Sequence, residues 1–294
     1  MNQHEKKEAS KFAQVLRAGR KSRDVSQVEL SSAIGISQGQ LSKLEKGVTV
    51  PSAPIWFCVC DKLNIQSESG TLGYIDGLRD VSLSSSNYQG SFKIPKRYSH
   101  LQGSMNRTSR PLLAYLLKQA GTKKTEEFIR AQKLDPDYFA LLDHPLNVNF
   151  NFDVIRHLLS SGLLKAKNIS ELAALSGSSK MHGAMTREYK KGQSARDLMD
   201  TFQKNTRKYS VNWDYGFDFS RKNTVEIVTT PAAHMKEFDM DEKELGGFIS
   251  EYTKHFLLSL FEENNIKVDP AAIQIKNEGN FKCVYRMGLQ NTHA

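Results

Sequence analysis

The feature that most constrains the fold is a pair of helix-start signals separated by a glycine near the N-terminus. Ser26 is followed three residues later by Glu29, and Ser37 is followed in the same way by Gln40. Each pair is typical of a capping box, in which two side chains satisfy the free amides of a helix start. Gly35 lies between the pairs, where the first helix has to end in a sharp turn that favours positive φ. The pattern therefore predicts two short helices joined by a tight turn.

Apolar residues around this turn have the spacing of helices that share one small core. Val25 and Leu30 flank Ser26 at the positions of a hydrophobic staple, which fixes how the chain enters the helix. We therefore predict that residues 1–66 form an all-α domain of four or five helices. The residues predicted to face its core are Phe12, Val15, Leu16, Leu30, Ala33, Ile34, Leu41, Leu44, Ile55, Val59 and Leu63.

The same stretch carries the patterns L-R-x-x-R, S-Q-x-x-L and G-I-S-Q-x-x-L-S-x-L-E-x-G, followed by a proline. In these residues the chain resembles the lambda-repressor/Cro-like (XRE-type) helix-turn-helix domain, over about residues 10–65. The resemblance implies a bacterial transcription regulator that binds double-stranded DNA as a homodimer, with a recognition helix at about residues 37–46 in the major groove. Ser31, Gly39 and Pro54 depart from the residues that are common in this family.

The resemblance also implies which side chains contact bases. Gln38 opens the recognition helix and is the candidate for bidentate recognition of adenine. Ser42 and Lys43 lie about one turn further along, and Lys43 donates either to guanine or to a phosphate. Gly39 has no side chain for base contact, so the backbone or a thymine methyl can come close. The candidate DNA-binding residues are Gln27, Ser37, Gln38, Gly39, Gln40, Ser42, Lys43 and Lys46.

At the ends of the two helices the resemblance implies contacts with the DNA backbone and one internal pair. Gln27 opens the first helix and presents its side chain and backbone N–H to a phosphate. Lys46 contacts the DNA backbone beyond the end of the recognition helix. Arg20 and Glu45 match a structural ion pair of this family, so we expect them to hold the domain together instead of contacting bases.

The net charge of +9 and the pI near 9.3 favour a polyanionic partner. Basic residues concentrate between residues 93 and 133, where only Glu126 and Glu127 oppose them, whereas residues 239–263 are acidic. The basic segment either extends the DNA footprint through phosphates or forms a solvated face that balances the acidic segment. Its basic residues are Lys93, Lys96, Arg97, Arg107, Arg110, Lys118, Lys123, Lys124, Arg130 and Lys133.

Several absences narrow the class of protein. Three cysteines without an export signal favour reduced thiols in the cytoplasm. No apolar run approaches the roughly 18 residues that a membrane span needs. No nucleotide-binding, hydrolase or metalloprotease motif occurs, and the eight histidines lack the spacing of metal ligands. We therefore expect no enzymatic activity, no cofactor, no metal site and no membrane contact.

The remainder of the chain is predicted to be a linker followed by a second domain. Residues 67–92 are rich in Ser, Gly and Asn, which is typical of a linker. Residues 93–294 are predicted to form an α+β domain, in which a helical block precedes an antiparallel sheet in the order β-β-α-β-β. The helices are predicted at 111–120, 123–132, 136–142, 152–160, 169–175, 195–207 and 247–263, and the strands at 211–219, 225–229, 273–275 and 281–289.

The last part of this domain, about residues 210–290, resembles bacterial small-molecule sensor modules of the vinyl-reductase-like and haem-NO-binding type. The resemblance rests on the turn Asn277–Asn280 and on Cys283 in the strand that follows. The second cysteine and the Gly-Asp pair of that pattern are absent, so the resemblance implies no ligand residues.

Two functions remain open for the second domain. In the first, the domain dimerises and senses an unidentified small-molecule or protein effector, which it couples to DNA binding. In the second, it is a platform for protein interaction or assembly without a small-molecule ligand, and the aromatic strand Trp213–Phe219 is expected to be exposed as its sheet edge. An enzyme fused to a regulator is disfavoured by the missing motifs.

Overall fold

A computed structural model describes residues 3–77, 88–177, 181 and 194–290. By their contacts these residues divide into two compact units. Residues 93–100 and 126–144, which we predicted to lie in the second domain, belong to the first unit. The first unit comprises residues 3–77, 88–100 and 126–144, and the second comprises residues 101–125, 145–177, 181 and 194–290.

The N-terminal part of the first unit is all-helical, as predicted. Leu30, Leu41 and Leu63 lie in its core and are fully buried. Ala33, which we predicted to face the core, is exposed because it is the last residue of its helix, where the chain turns away. The helices are α1 (Gln3–Ser22), α2 (Gln27–Ala33), α3 (Gln38–Glu45), α4 (Ala53–Leu63) and α5 (Ser69–Leu72).

Part of the predicted linker is packed within the first unit. It contains α5, and Ile75 pairs with a distant backbone segment: Ile75 N donates to Ala140 O at 2.7 Å, and Leu142 N donates to Ile75 O at 2.9 Å. The composition of the linker did not indicate this pairing because the partner segment lies far along the chain. The Ser84–Asn87 part of the linker lies outside the described residues.

A short hairpin packs against the C-terminal end of α1. It consists of β1 (Tyr88–Gln89) and β2 (Phe92–Lys93), and Ser91 N donates to Lys21 O at 2.8 Å. Gly90 turns between the strands at φ 62°, and a Cβ there would lie 2.5 Å from the same carbonyl oxygen, so the turn requires glycine. The unit is completed by α6 (Lys96–Ser99) and by a 3-10 turn at Pro136–Ala140, where we predicted a longer helix.

Helices dominate the first half of the second unit. The long helix α7 is interrupted at Gly121, where φ is 82°, so it corresponds to the two helices predicted from residues 111 and 123. None of the helices in the described part of the chain is both long and apolar enough to cross a membrane. The elements are β3 (Ser104–Met105), α7 (Asn106–Ala131), β4 (Pro145–Leu146), α8 (Asn149–Ser160), α9 (Ile169–Gly177) and α10 (Ala195–Tyr209). Residues 126–131 of α7 belong to the first unit.

The second half of this unit is a four-stranded antiparallel sheet with one long helix, which confirms the predicted α+β class. The strands lie in the order β5-β6-β8-β7. The helix begins at Glu242 instead of Gly247, because the side chain of Asp241 accepts a hydrogen bond from Lys243 N at 2.8 Å and caps an earlier start. The elements are β5 (Trp213–Asp218), β6 (Thr224–Pro231), α11 (Glu242–Glu263), β7 (Val268–Asn277) and β8 (Cys283–Leu289).

The aromatic side chains of β5 are turned towards the core and are not an exposed surface. Tyr215 and Phe217 pack on Phe202 of α10 with ring centroids 4.9 and 6.4 Å apart. The residues of β5 that face solvent are Asp214, Gly216 and Asp218. The strand lies at the sheet edge as predicted, but charged residues at an edge oppose pairing with another strand.

Candidate nucleic-acid interface

The starts of α2 and α3 are fixed by the capping signals that the sequence carries. Ser26 Oγ accepts from Glu29 N at 3.1 Å, and Glu29 Oε2 accepts from Ser26 N at 2.7 Å. Ser37 and Gln40 make the same reciprocal bonds at 3.2 and 2.9 Å. Gly35 forms the turn between the helices at φ 72°. The direction of α3 is therefore set by local bonds at its first turn.

The helix α3 has one buried face and one exposed face. Leu41 and Leu44 are buried in the core of the first unit. Gln38, Gly39 and Lys43 are exposed. A helix that enters the major groove must be held by its domain on one side and offer polar groups to base edges on the other. The buried leucines of α3 hold it in the domain, and its exposed polar side chains are free to face base edges.

Glu45, the last residue of α3, is a buried anchor. Its carboxylate accepts from Arg20 Nε at 2.6 Å and from Arg20 Nη2 at 3.0 Å, which forms the ion pair that the resemblance implies. It also accepts from Gln27 Nε2 at 2.7 Å. The side chain of Glu45 is only 4 % exposed; Arg20 on α1 compensates its charge, and the neutral amide of Gln27 on α2 adds a hydrogen bond. These bonds tie all three helices together at the C-terminal end of α3.

Arg17 forms a second connection to the C-terminal end of α3, which we did not predict from the sequence. Arg17 Nη1 donates to the backbone carbonyl of Glu45, and Arg17 Nη2 donates to Asp137 Oδ1 at 2.7 Å. Lys21 Nζ donates to Asp137 Oδ2 at 2.8 Å and to Asp135 Oδ2 at 2.6 Å. The only signal in the sequence is that Arg17 precedes Arg20 by three residues, which places both on one side of α1.

These ion pairs determine the protonation state of Asp137. Burial alone would raise the pKa of this carboxyl, but hydrogen bonds and charge from Arg17 and Lys21 hold its pKa below the ordinary value. Burial would likewise lower the pKa of Arg17, and its bonds to Asp137 raise it instead. All three groups are therefore charged at neutral pH, and the cluster is a fixed part of the domain.

The predicted DNA-binding residues fall into two groups. The side chains of Ser37 and Gln40 are used in the helix cap, and the Gln27 amide is bound to Glu45, so these residues shape the domain in the free protein. The others lie along α3 and at its C-cap: Gln38, Gly39, Lys43 and Lys46 are exposed, and Ser42 is half-buried.

The basic segment between residues 93 and 133 is not one continuous face. Lys93, Lys96 and Arg97 are exposed in the first unit, whereas Arg107 lies in the second unit and is fully buried. The buried guanidinium cannot contact a phosphate or balance an acidic surface. The segment as a whole therefore neither extends the DNA footprint nor forms a solvated face that balances the acidic segment.

Comparison with known families identifies the N-terminal part of the chain. Residues 16–68 match the family model described as helix-turn-helix. This range contains the caps, the Gly35 turn and the exposed face of α3. Residues 16–68 are therefore a helix-turn-helix domain. This supports the prediction that the chain is a DNA-binding regulator with DNA as its partner. No curated protein matches the chain.

Comparison with solved structures returns proteins described as H-NOX. The Fe(II) unliganded H-NOX protein from K. algicida is 9% identical, with a TM-score of 0.45, and the match covers 64% of this chain and 97% of that one. The H-NOX protein from S. oneidensis in the Fe(II)NO ligation state is 11% identical, with a TM-score of 0.46, and covers 63% and 99%. At these scores the likeness assigns neither a ligand nor an activity to this chain.

Proposed function

We propose that this protein is a sequence-specific transcription regulator that binds double-stranded DNA by placing α3 in the major groove. The observation that carries the proposal is the arrangement of α3: Gln38 and Lys43 are exposed on a helix whose other face and C-terminal end are held by the domain. Gln38 contacts adenine, and Lys43 contacts guanine or a phosphate. The proposal places the protein inside the cell, where the DNA is, and includes no catalytic step.

The proposed binding unit is a homodimer. With eight residues, α3 can reach only a few base pairs, and the exposed side chains available for base contact are few. A dimer doubles these contacts and requires two half-sites one helical turn, or a multiple of it, apart. The second unit supplies regulation through an effector, in addition to dimerisation.

Replacing both Gln38 and Lys43 by alanine is expected to weaken binding to the operator by at least about tenfold, because each good base contact contributes about 1–3 kcal/mol. Fluorescence anisotropy with a labelled operator measures the effect. Lys62→Ala, which removes an exposed lysine from α4, is the matched control and is expected to bind as the unaltered protein does. Unchanged affinity and sequence preference in the double variant would contradict the proposal.

The salt dependence of the same titration distinguishes a phosphate contact of Lys43 from a guanine contact. If Lys43 contacts a phosphate, Lys43→Ala lowers the slope of log Kd against log salt concentration by about one. If it contacts guanine, the variant instead loses preference at one base position. Gln38→Ala leaves the slope unchanged in both cases, because the amide is uncharged.

A further inference from the structure

The second unit contains a cavity of about 190 Å³. It is lined by residues of the helices α7, α8, α9, α10 and α11 and of the strands β3, β5 and β6. An apolar cavity of about 150 Å³ is large enough to bind benzene in other proteins. The cavity is therefore large enough for a single aromatic ring with a small substituent.

Aromatic side chains form much of the wall. Phe202 meets Tyr215 edge to face at 4.9 Å, and Phe256 lies 5.7 Å from Phe202. Phe248 and Tyr252 stack on each other at 5.6 Å along α11. Ring faces and edges arranged in this way offer stacking and edge contacts to another flat ring.

The polar groups at the wall are uncharged. The described lining residues include no Asp, Glu, Lys, Arg, His or Cys. The hydroxyls of Ser176 and Tyr252 are hydrogen-bonded to each other. Burial raises the pKa of Tyr252 to about 12 and also raises the pKa of Tyr215, so both remain neutral phenols. Asn151 and Asn212 add amide groups to the wall, and their oxygens are hydrogen-bonded to Ser109 and His234.

We propose that this cavity is a binding site for an uncharged molecule with one aromatic ring and one hydroxyl or carbonyl group. A charged ligand would lose its hydration without gaining a counter-charge from the described wall, which disfavours its binding. The Ser176–Tyr252 pair and the amides can bond one polar group while the rings cover the remainder. That the ligand acts as an effector rests on the proposed function, whereas its binding does not.

Isothermal titration calorimetry on the full-length protein tests the proposal with three probes of one ring size. Benzyl alcohol is neutral, whereas benzoate and benzylammonium carry opposite charges. We expect benzyl alcohol to bind with one site per chain and both charged probes to bind at least tenfold more weakly. Absence of binding by benzyl alcohol, or equal affinity for a charged probe, would overturn the proposal.

Three variants locate the site. Ile249→Phe fills the cavity and is expected to abolish binding of benzyl alcohol, with folding verified by circular dichroism. Tyr252→Phe keeps the ring and removes the hydroxyl, so we expect about tenfold weaker binding. Tyr115→Phe alters a fully buried tyrosine outside the cavity lining and should bind as the unaltered protein does. If Ile249→Phe does not fold, Tyr252→Phe decides, and unchanged affinity in that variant refutes the site.

The same preparations separate this inference from the proposed function. Operator binding is measured by anisotropy without any probe, and probe binding is measured by calorimetry without DNA. Weaker operator binding by Gln38→Ala with unchanged binding of benzyl alcohol supports base recognition by α3 and leaves the cavity site standing. Failure of benzyl alcohol to bind while operator binding persists refutes the cavity site and leaves DNA binding intact.

Discussion

Glu45→Ala is expected to lower the free energy of unfolding of the first unit by about 3–5 kcal/mol, because it leaves a largely buried arginine without its counter-charge. The side chains of Arg20 and Glu45 are 14 % and 4 % exposed, so water cannot replace the lost carboxylate easily. Gln27 loses a hydrogen-bond acceptor in the same variant. The effect exceeds that of an ordinary surface ion pair, which contributes at most about 1 kcal/mol.

Denaturant unfolding followed by Trp56 fluorescence measures this effect. Trp56 is buried in the first unit, where its Nε1 donates to Ser67 O at 2.7 Å, and a Trp213→Phe background removes the other tryptophan signal. Glu45→Gln keeps an acceptor for Arg20 and should cost less than alanine. Asp61→Ala, at an exposed carboxylate on α4, should change the free energy by less than about 0.5 kcal/mol. A loss in Glu45→Ala no larger than that in Asp61→Ala would show that the ion pair does not hold α3.

Asp137→Ala is expected to lower the free energy of unfolding by about 2–4 kcal/mol. The carboxylate joins Arg17 and Lys21 of α1 to the 3-10 turn, and its removal leaves Arg17 without a carboxylate partner and Lys21 with Asp135 alone. We place the effect below that of Glu45→Ala because the side chains of Arg17 and Lys21 are 31 % and 25 % exposed and can be partly rehydrated. The same fluorescence experiment measures this loss of stability. A loss under about 0.5 kcal/mol would show that Asp137 does not hold α1 to the 3-10 turn.

Acid provides an independent check on this cluster, with Asp137→Asn as the comparison. Because the pKa of Asp137 is lowered in the folded state, its contribution is complete above the ordinary aspartate pKa of about 3.9 and is lost as the pH falls through the folded value. The stability difference between the unaltered protein and Asp137→Asn should therefore be constant near pH 7 and shrink towards pH 3. A stability difference that grows on acidification would show that the pKa of Asp137 is not lowered in the folded state.

The sequence predicted those parts of the molecule that are determined by nearby residues. The two capping boxes and the positive φ of Gly35 involve residues three or fewer positions apart, so the pattern alone specifies them. The alternating apolar residues of β5 and β6 specify strands for the same reason. The pairing of Arg20 with Glu45 is longer in range, and only the family resemblance implied it.

The parts that the sequence did not predict depend on contacts between distant residues. Arg17 meets Asp137 across more than a hundred positions, and no periodicity of either segment indicates the other. Ile75 pairs with residues 140–142 inside a segment whose composition is typical of a linker. The cavity could not be predicted because its wall joins side chains from Ser104 to Phe256, each with an ordinary place in a helix or strand pattern.

Two predictions about single elements were wrong. The pair Gly246–Gly247 weakens a helix by its conformational freedom, so the pattern favoured a start at the second glycine. Asp241 overrides that preference by capping the helix earlier. The aromatic residues of β5 were predicted to be exposed because the alternation of a strand does not indicate that the preceding helix, α10, folds back over its aromatic face.

The most direct test of the central claim is the selection of DNA from a randomised library by the full-length protein and by Gln38→Ala. We expect the unaltered protein to enrich a two-fold symmetric motif, and Gln38→Ala to lose preference at one base position in each half-site while keeping the rest. An identical motif for both proteins, or no enriched motif for the unaltered protein, would show that α3 does not recognise bases.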